Sequence, residues 1–254
     1  MVKKVLRSLG GFSLYIILPV FLLCIWKGAD LLGKIKPYTM PAPERVLKTA
    51  VDFIIDGTLL AHIVISALRV GEGFLIALVL ALALGIGIGL SKKLEIITDL
   101  VVQVIKPIPP IAWIPLSILW FGIAEASKLY IIVVGAFFPI LLNTVDGIKN
   151  IDPRYFELSK VYEVEYSRVV ARVVLPGALP FIMTGIRVGL ANAWICVVAA
   201  EMIAATKGIG YMLMDGRSLA RPDIVILGML IIGIVGKIMD DVLKWVSKMI
   251  IRWN

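Results

Sequence analysis

The sequence predicts an all-α integral membrane protein of six transmembrane helices, with a hairpin of short polar helices on the cytoplasmic side between the fourth and fifth. Three observations carry that prediction. Of the 254 residues, 60% are hydrophobic and only 17% are charged, and the mean hydropathy is +0.97, far outside the range of soluble domains. Apolar runs of about 20 residues, the length that crosses a bilayer core, recur along the chain. Between two of them stands FELSKVYEVEYSRVVARVVLPGALP, Phe156 to Pro180, which is far more polar than its surroundings.

The first run, Gly11 to Trp26, follows Lys3, Lys4 and Arg7 and resembles the start of a secretory signal. Its exit, Lys27-Gly28-Ala29-Asp30, lacks a small-x-small cleavage pattern, and Leu22-Leu23 before Cys24 does not make a lipoprotein box, so an anchor helix over 11–26 is expected. The remaining spans are expected at Val70–Leu90, Ile96–Phe121, Lys128–Ile148, Leu179–Ala200 and Ile224–Val246, making 70–246 the core of one transmembrane domain, 1–254. Between the first two, Pro37–Ala67 holds a helix stop at Pro41-Ala42-Pro43-Glu44. Val46, Leu47, Ala50, Phe53 and Ile54 then recur at helical spacing, which predicts an interfacial helix on the outer face.

Basic residues set the orientation. Lys92, Lys93, Lys149, Arg154, Lys160, Arg168, Arg172, Lys244, Lys248 and Arg252 join the N-terminal cluster on one side. Lys27, Lys34, Lys36, Arg45, Lys48, Lys128, Lys207, Arg217 and Arg221 fall on the other. The bias places both termini in the cytoplasm of a multi-pass inner-membrane protein. The net charge of +8 is spread over these short loops, with no basic stripe interleaved with aromatics, which argues against a nucleic-acid partner. Cys24 and Cys196 both sit in apolar runs, and His62 is the only histidine. No metal or cofactor site is expected, and His62 reads as a structural hydrogen-bonding group.

Asp152-Pro153 opens the polar stretch with a helix-start signal, after which Phe156, Val161, Val164, Val169 and Val170 alternate with charged residues at helical spacing. Leu175-Pro176 and Leu179-Pro180 are expected to break the chain before it re-enters the membrane. A folded hairpin over 149–178 is expected to dock onto a partner, because a solvated loop has no reason to keep an apolar stripe.

At these residues the chain resembles the permease subunits of binding-protein-dependent ABC importers. Their cytoplasmic signature is Glu-Ala-Ala, three residues, Gly, nine residues, then Ile-x-Leu-Pro. It aligns with Glu157-Leu158-Ser159, with Glu163 at the glycine position, and with Val173-x-Leu175-Pro176. HIVISALRVGEGF, KPIPPIAWIPLSILWFGI, SKLYIIVVGAFFPILLNTVDGI, LPGALPFIMTGIRVGLANAWICVVAAEM and KIMDD narrow the resemblance to the sulfonate, taurine and nitrate branch. The resemblance implies two permeases, two cytoplasmic ABC ATPase subunits and an external solute-binding protein. It also implies that the hairpin is the coupling element, with Glu157, Leu158, Ser159, Tyr162, Glu163, Glu165, Leu175 and Pro176 at the ATPase contact. Glutamate in place of glycine predicts a right-handed or extended turn at Glu163, and an acidic tip that needs a basic residue on the ATPase.

No G-x-x-x-x-G-K-[ST] phosphate loop occurs in the chain, so no enzymatic activity of its own is expected. Gly85/Gly89 and Gly185/Gly189 are spaced for close helix packing. Candidates for the translocation pathway are the polar and aromatic groups inside apolar spans: Trp113 among Pro107, Pro109, Pro110 and Pro115, then Asn143, Arg187, Asn192 and Trp194. For Asn143 and Asn192, bonding between helices explains the placement equally well. Arg69 and Glu72 are expected to pair with each other, while Glu201, Lys207, Asp215, Arg217 and Asp223 are expected in the outer loop after the fifth span. The alternative functions are a secondary transporter, which also uses proline-broken helices at the midplane, and a channel-like membrane protein. A secondary transporter usually repeats its broken helix, and KPIPPIAWIP has no counterpart in the second half. Neighbouring genes for an ATPase and a secreted binding protein would separate the three.

Overall fold

The computed structural model describes residues 2–33 and 39–251, with side chains from residue 17 onward. Lys3, Lys4, Arg7, Lys34, Lys36 and Arg252 of the orientation argument, and the start of the 37–67 segment, lie outside the described side chains. The described chain is helical. Its elements are α1 (Val2–Leu31), α2 (Pro43–Ile55), α3 (Thr58–Leu90), α4 (Lys92–Ile105), a 3₁₀ turn (Pro110–Trp113), α5 (Ile114–Phe121) and α6 (Glu125–Lys149). These are followed by α7 (Arg154–Val161), α8 (Tyr166–Val169), a π-helical turn (Val170–Val174), α9 (Leu175–Ala204), α10 (Ile209–Ser218) and α11 (Pro222–Ile250).

Two compact units are formed, one by residues 1–61 with 212–230 and the other by 62–211 with 231–254. In the first, Pro43 starts α2 with its missing N–H harmlessly in the first turn. Thr49 on α2 donates to Asp223 at the start of α11 at 2.8 Å, and Arg221 adds a 2.7 Å bond to the same carboxylate. Trp26 of α1 donates its indole N–H to the Pro41 carbonyl at 3.1 Å. Asp223 is fully buried, so it is not the loop group the sequence suggested.

The second unit is organised around α6, which glycines allow to approach α3 and α9 closely. A Cβ on Gly85 would stand 2.9 Å from Thr144, and one on Gly89 would stand 2.8 Å from Ile148. On the other side, Gly185 faces Asn143 and Gly189 faces Ile140, each at 2.7 Å from a hypothetical Cβ. Lipid offers no hydrophobic drive to join these helices, so van der Waals fit along the glycine seams is what holds them. Both spacings read from the sequence therefore serve α6.

Four described helices are long and apolar enough to cross a membrane: α3, α6, the continuous Tyr166–Ala204 segment and α11. The predicted third span, 96–121, is instead two helices, Lys92–Ile105 and Pro110–Phe121, bent by 86°. Pro107, Pro109 and Pro110 remove successive backbone donors there, and the chain turns where the ladder fails. The remaining predicted run, 11–26, lies within α1, whose described apolar side chains such as Leu18 and Phe21 are exposed. Six spans are thus expected from sequence, while four, or five with the bent pair, meet the criterion among the described residues.

Pro176 and Pro180 do not break the chain as expected, because helix runs unbroken from Tyr166 to Ala204. Pro176 falls in the first turn of α9, immediately after the π turn. Widening one turn relieves the clash of the proline ring with the preceding carbonyls. Pro180 is carried inside α9.

Candidate functional site

The polar stretch folds as two short helices, α7 and α8, joined at Tyr162–Glu165. Asp152 starts α7 by accepting the Arg154 backbone N–H at 2.9 Å, an Asx turn that releases the chain from α6. At the other end of α7, Val164 N–H reaches the Ser159 carbonyl at 2.9 Å and Glu163 N–H reaches Lys160 at 3.2 Å. Those two bonds define a Schellman cap, which requires a left-handed residue at the position of Glu163. Glu163 has φ 51°, so the expected right-handed or extended turn is not what forms. Satisfying two helix-end carbonyls outweighs the steric cost of a Cβ in that region.

The two sides of α7 differ. Tyr155, Leu158, Val161 and Tyr162 are more than half exposed, and Glu157, Glu163 and Glu165 are exposed with them. Phe156, Ser159 and Lys160 point the other way, into a cavity bounded by the ends of α3 and α6. Ser159, expected at a partner contact, is therefore on the inner side, its hydroxyl bonded to the Phe156 carbonyl at 2.8 Å. Glu165 pairs with Arg168 at 3.6 Å across exposed surface, a contact worth little by itself. Val169 and Val174 are buried with Ile148, Ala178 and Ile182, so the hairpin is joined rigidly to α9, with Leu175 and Pro176 inside that junction rather than at its tip.

Of the five intramembrane candidates, two come together. Arg187 and Trp194 of α9 line a cavity of about 190 Å³ with Asp240 of α11. Arg187 Nε and Nη2 both donate to Asp240 Oδ1, at 3.1 and 2.9 Å, and Lys244 holds the other carboxylate oxygen at 2.6 Å. Trp194 donates to the Ile232 carbonyl at 3.0 Å. Asn143 donates its side-chain amide to Pro139 O of its own helix at 2.8 Å, a bond back to the preceding turn, and Asn192 is half-buried. Trp113 lies elsewhere, against Ile114, Ile131, Cys196 and Ala200, its ring edge-on to Tyr130 at 6.4 Å. Its indole N–H is buried without an acceptor among the described residues. Asp240 was not singled out from the sequence. Its signal was available, since Asp240 and Lys244 are four apart on a helix otherwise apolar enough to span.

A second polar centre replaces the expected Arg69–Glu72 pair. Arg69 Nη1 donates to Glu201 at 2.8 Å and to the Lys207 carbonyl at 2.7 Å, while Nε and Nη2 clasp Glu125 at 2.7 and 2.8 Å. Glu201, expected in a loop, is buried inside α9 and also accepts from Ser66 at 2.8 Å and from the Gly210 N–H at 2.9 Å. Lys128, read as a loop cation, is buried on α6 and bonded to Glu125 at 2.9 Å. His62 accepts the Gly208 N–H at 3.0 Å, as a structural group should. Cys24 and Cys196 are free thiols, and no group of residues able to hold a metal occurs among the described residues.

Glycine-seamed helices of membrane-crossing length carrying a capped polar hairpin define a multi-span helical membrane protein. The same fold is found in the inward-facing MetNI methionine ABC transporter, with a TM-score of 0.67 at 15% identity over 77% of this chain and 97% of that one. The chain belongs to the family described as binding-protein-dependent transport system inner membrane component, which matches residues 73–252. It is 36% identical over 99% of its length to SsuC of Bacillus subtilis (strain 168), described as an aliphatic sulfonates transport permease protein, covering 91% of that relative. It is 32% identical to the taurine transport system permease protein TauC of Escherichia coli (strain K12), over 99% of this chain and 91% of that one. The nitrate import permease protein NrtB of Synechococcus elongatus matches at 32% over 96% of this chain and 91% of its own length. The chain is thus a multi-pass inner-membrane permease subunit of an ABC importer, working with an ATPase subunit and a solute-binding protein. This sets aside the secondary-transporter and channel readings.

Proposed function

We propose that two copies of this chain pair with both termini in the cytoplasm, and that the 149–178 hairpin of each docks on an ABC ATPase subunit. The single observation that carries the docking assignment is the outward face of α7. Tyr155, Leu158, Val161 and Tyr162 expose apolar surface on an otherwise charged hairpin, and such a patch calls for a protein partner. Glu157, Glu163 and Glu165 surround it, so the ATPase cleft presents at least one lysine or arginine to them. The unbroken helix from Tyr166 into α9 supports a rigid transmission of ATPase motion to the Arg187 region. The interfacial helix in the 37–67 segment and the exposed groups around Lys207 and Arg217 face the solute-binding protein in this arrangement.

The solute is a small anion, in keeping with the sulfonate, taurine and nitrate relatives. Its route passes Arg187 and Trp194, with Trp113, Asn143 and Asn192 as further polar or aromatic groups along the spans. Hydrolysis belongs to the ATPase, and the permease holds no nucleotide. The test is Glu157→Lys in the assembled transporter in proteoliposomes. Insertion should persist while uptake and solute-stimulated ATP hydrolysis are lost, and normal uptake by this variant would refute the docking assignment.

A further inference from the structure

Behind the hairpin lies a cavity of about 620 Å³, framed by the last turns of α3 and α6 and by the inner face of α7. That volume is in the range of small-molecule sites. Its floor is apolar, formed by Leu90, Ile148, Phe156 and Val164, while its rim carries Lys149 and Lys160 and no carboxylate. Glu95 reaches Lys149 from outside the lining at 2.7 Å and neutralises it. Lys160 is exposed and has no ion-pair partner among the described residues. One uncompensated positive charge therefore stands over an apolar floor.

The depth of the cavity suggests what balances that charge. Leu90 and Lys149 are the last residues of α3 and α6, two helices of membrane-crossing length. Helices of that length carry their last turns out of the hydrocarbon core into the headgroup layer, where lysines between helices meet lipid phosphates. We propose that this cavity binds the headgroup of an anionic glycerophospholipid, with Lys160 as counter-ion to its phosphodiester and the upper part of an acyl chain on the Leu90–Phe156 floor. A single negative charge matches the single free ammonium. A phosphatidylcholine headgroup would bring its own cation against Lys160, and a free phosphate would leave the apolar floor unmatched. Because Phe156, Ser159 and Lys160 belong to α7, the bound lipid braces the hairpin from behind. That consequence rests on the coupling assignment, whereas the binding does not.

The experiment uses the full-length chain in nanodiscs of phosphatidylcholine containing a minor fraction of phosphatidylglycerol, followed by native mass spectrometry of the lipids it retains. The intact chain should retain phosphatidylglycerol selectively. Lys160→Gln should lower that retention about fivefold, the factor expected for one lysine at a lipid surface, and Lys160→Arg should preserve it. Val164→Trp fills the cavity without altering charge and should also release the lipid, which keeps the test decisive if Lys160→Gln fails to fold. Glu157→Lys lies on the outer face and should retain the lipid even if transport is lost, separating this inference from the docking assignment. Equal retention by the intact chain, Lys160→Gln and Val164→Trp overturns the proposal. So does displacement of phosphatidylglycerol by inorganic phosphate or AMP, which would assign the cavity to a soluble phosphorylated ligand.

Discussion

Arg69 and Glu201, 132 positions apart in the chain, join α3 to α9 through a 2.8 Å ion pair in which the carboxylate is only 1% exposed. Every other oxygen contact of Glu201 is also satisfied, by Ser66 and by the Gly210 N–H. Gly208, at φ 125°, passes directly over the carboxyl, where any Cβ would overlap it. Charges in a low-dielectric site are tolerable only when paired and fully hydrogen-bonded, and this centre meets that condition with two cations and two carboxylates.

Breaking one side should therefore cost more than the pair contributes. Arg69→Leu leaves Glu201 buried without its cation and Glu125 with Lys128 alone, and is expected to destabilise the folded chain by about 3–5 kcal/mol. Arg69→Lys should recover only part of this, because one ammonium cannot reproduce the planar fork that serves Glu125, Glu201 and the Lys207 carbonyl together. Thermal unfolding of the purified protein checks both, and a near-native Arg69→Leu would mean that the cluster contributes no stability.

Gly189 should tolerate no side chain. A Cβ there stands 2.7 Å from Ile140 Cγ1 and 3.1 Å from the Ala136 carbonyl, so neither neighbour can yield without moving α6. Gly189→Val is expected to cost about 1–3 kcal/mol through overpacking. Gly233, inside α11 with open surroundings, is the control, and Gly233→Ala should not lower the melting temperature and should raise it slightly.

At the hairpin, Glu163→Gly should be neutral to stabilising, by up to about 1 kcal/mol. It removes the left-handed penalty of roughly 1–2 kcal/mol against a smaller gain in unfolded-state entropy. Glu163→Val adds a β-branch at the same φ and should be clearly worse. If both variants melt alike, the left-handed cap is not the conformation adopted in the membrane.

The Arg187–Asp240 pair separates a pathway role from packing. Arg187→Gln should lower uptake of an anionic solute about tenfold, corresponding to roughly 1.4 kcal/mol. Asp240→Asn, which leaves Arg187 charged, should preserve or raise it. Equal changes in stability with unchanged uptake per folded transporter would reduce Arg187 to a link between α9 and α11.

What the sequence determined by itself was whatever local chemistry settles. Apolar runs longer than a bilayer core admit only helices, because every backbone group must be satisfied within its own segment. Glycines four apart announced close packing, and the position of the polar hairpin followed from its Asp152-Pro153 start. The signature from Glu157 to Pro176 identifies the kind of machine. Tertiary structure decided the pairings. Arg69 could have bonded Glu72 one turn away, but Glu201 and Glu125, invisible to local spacing, surround it once α3, α6 and α9 pack. Asp223 and Glu201 read as loop charges because span ends are uncertain by a turn, and only the packed helices show that they are buried. Pro176 read as a break because a proline cannot donate, yet a π turn supported by Val169, Val174 and Ala178 in the core carries the helix through it. Glu163 read as incompatible with a left-handed turn on steric grounds. The two carbonyls at the end of α7 needed that turn, and the hydrogen bonds they accept outweigh the strain of one side chain.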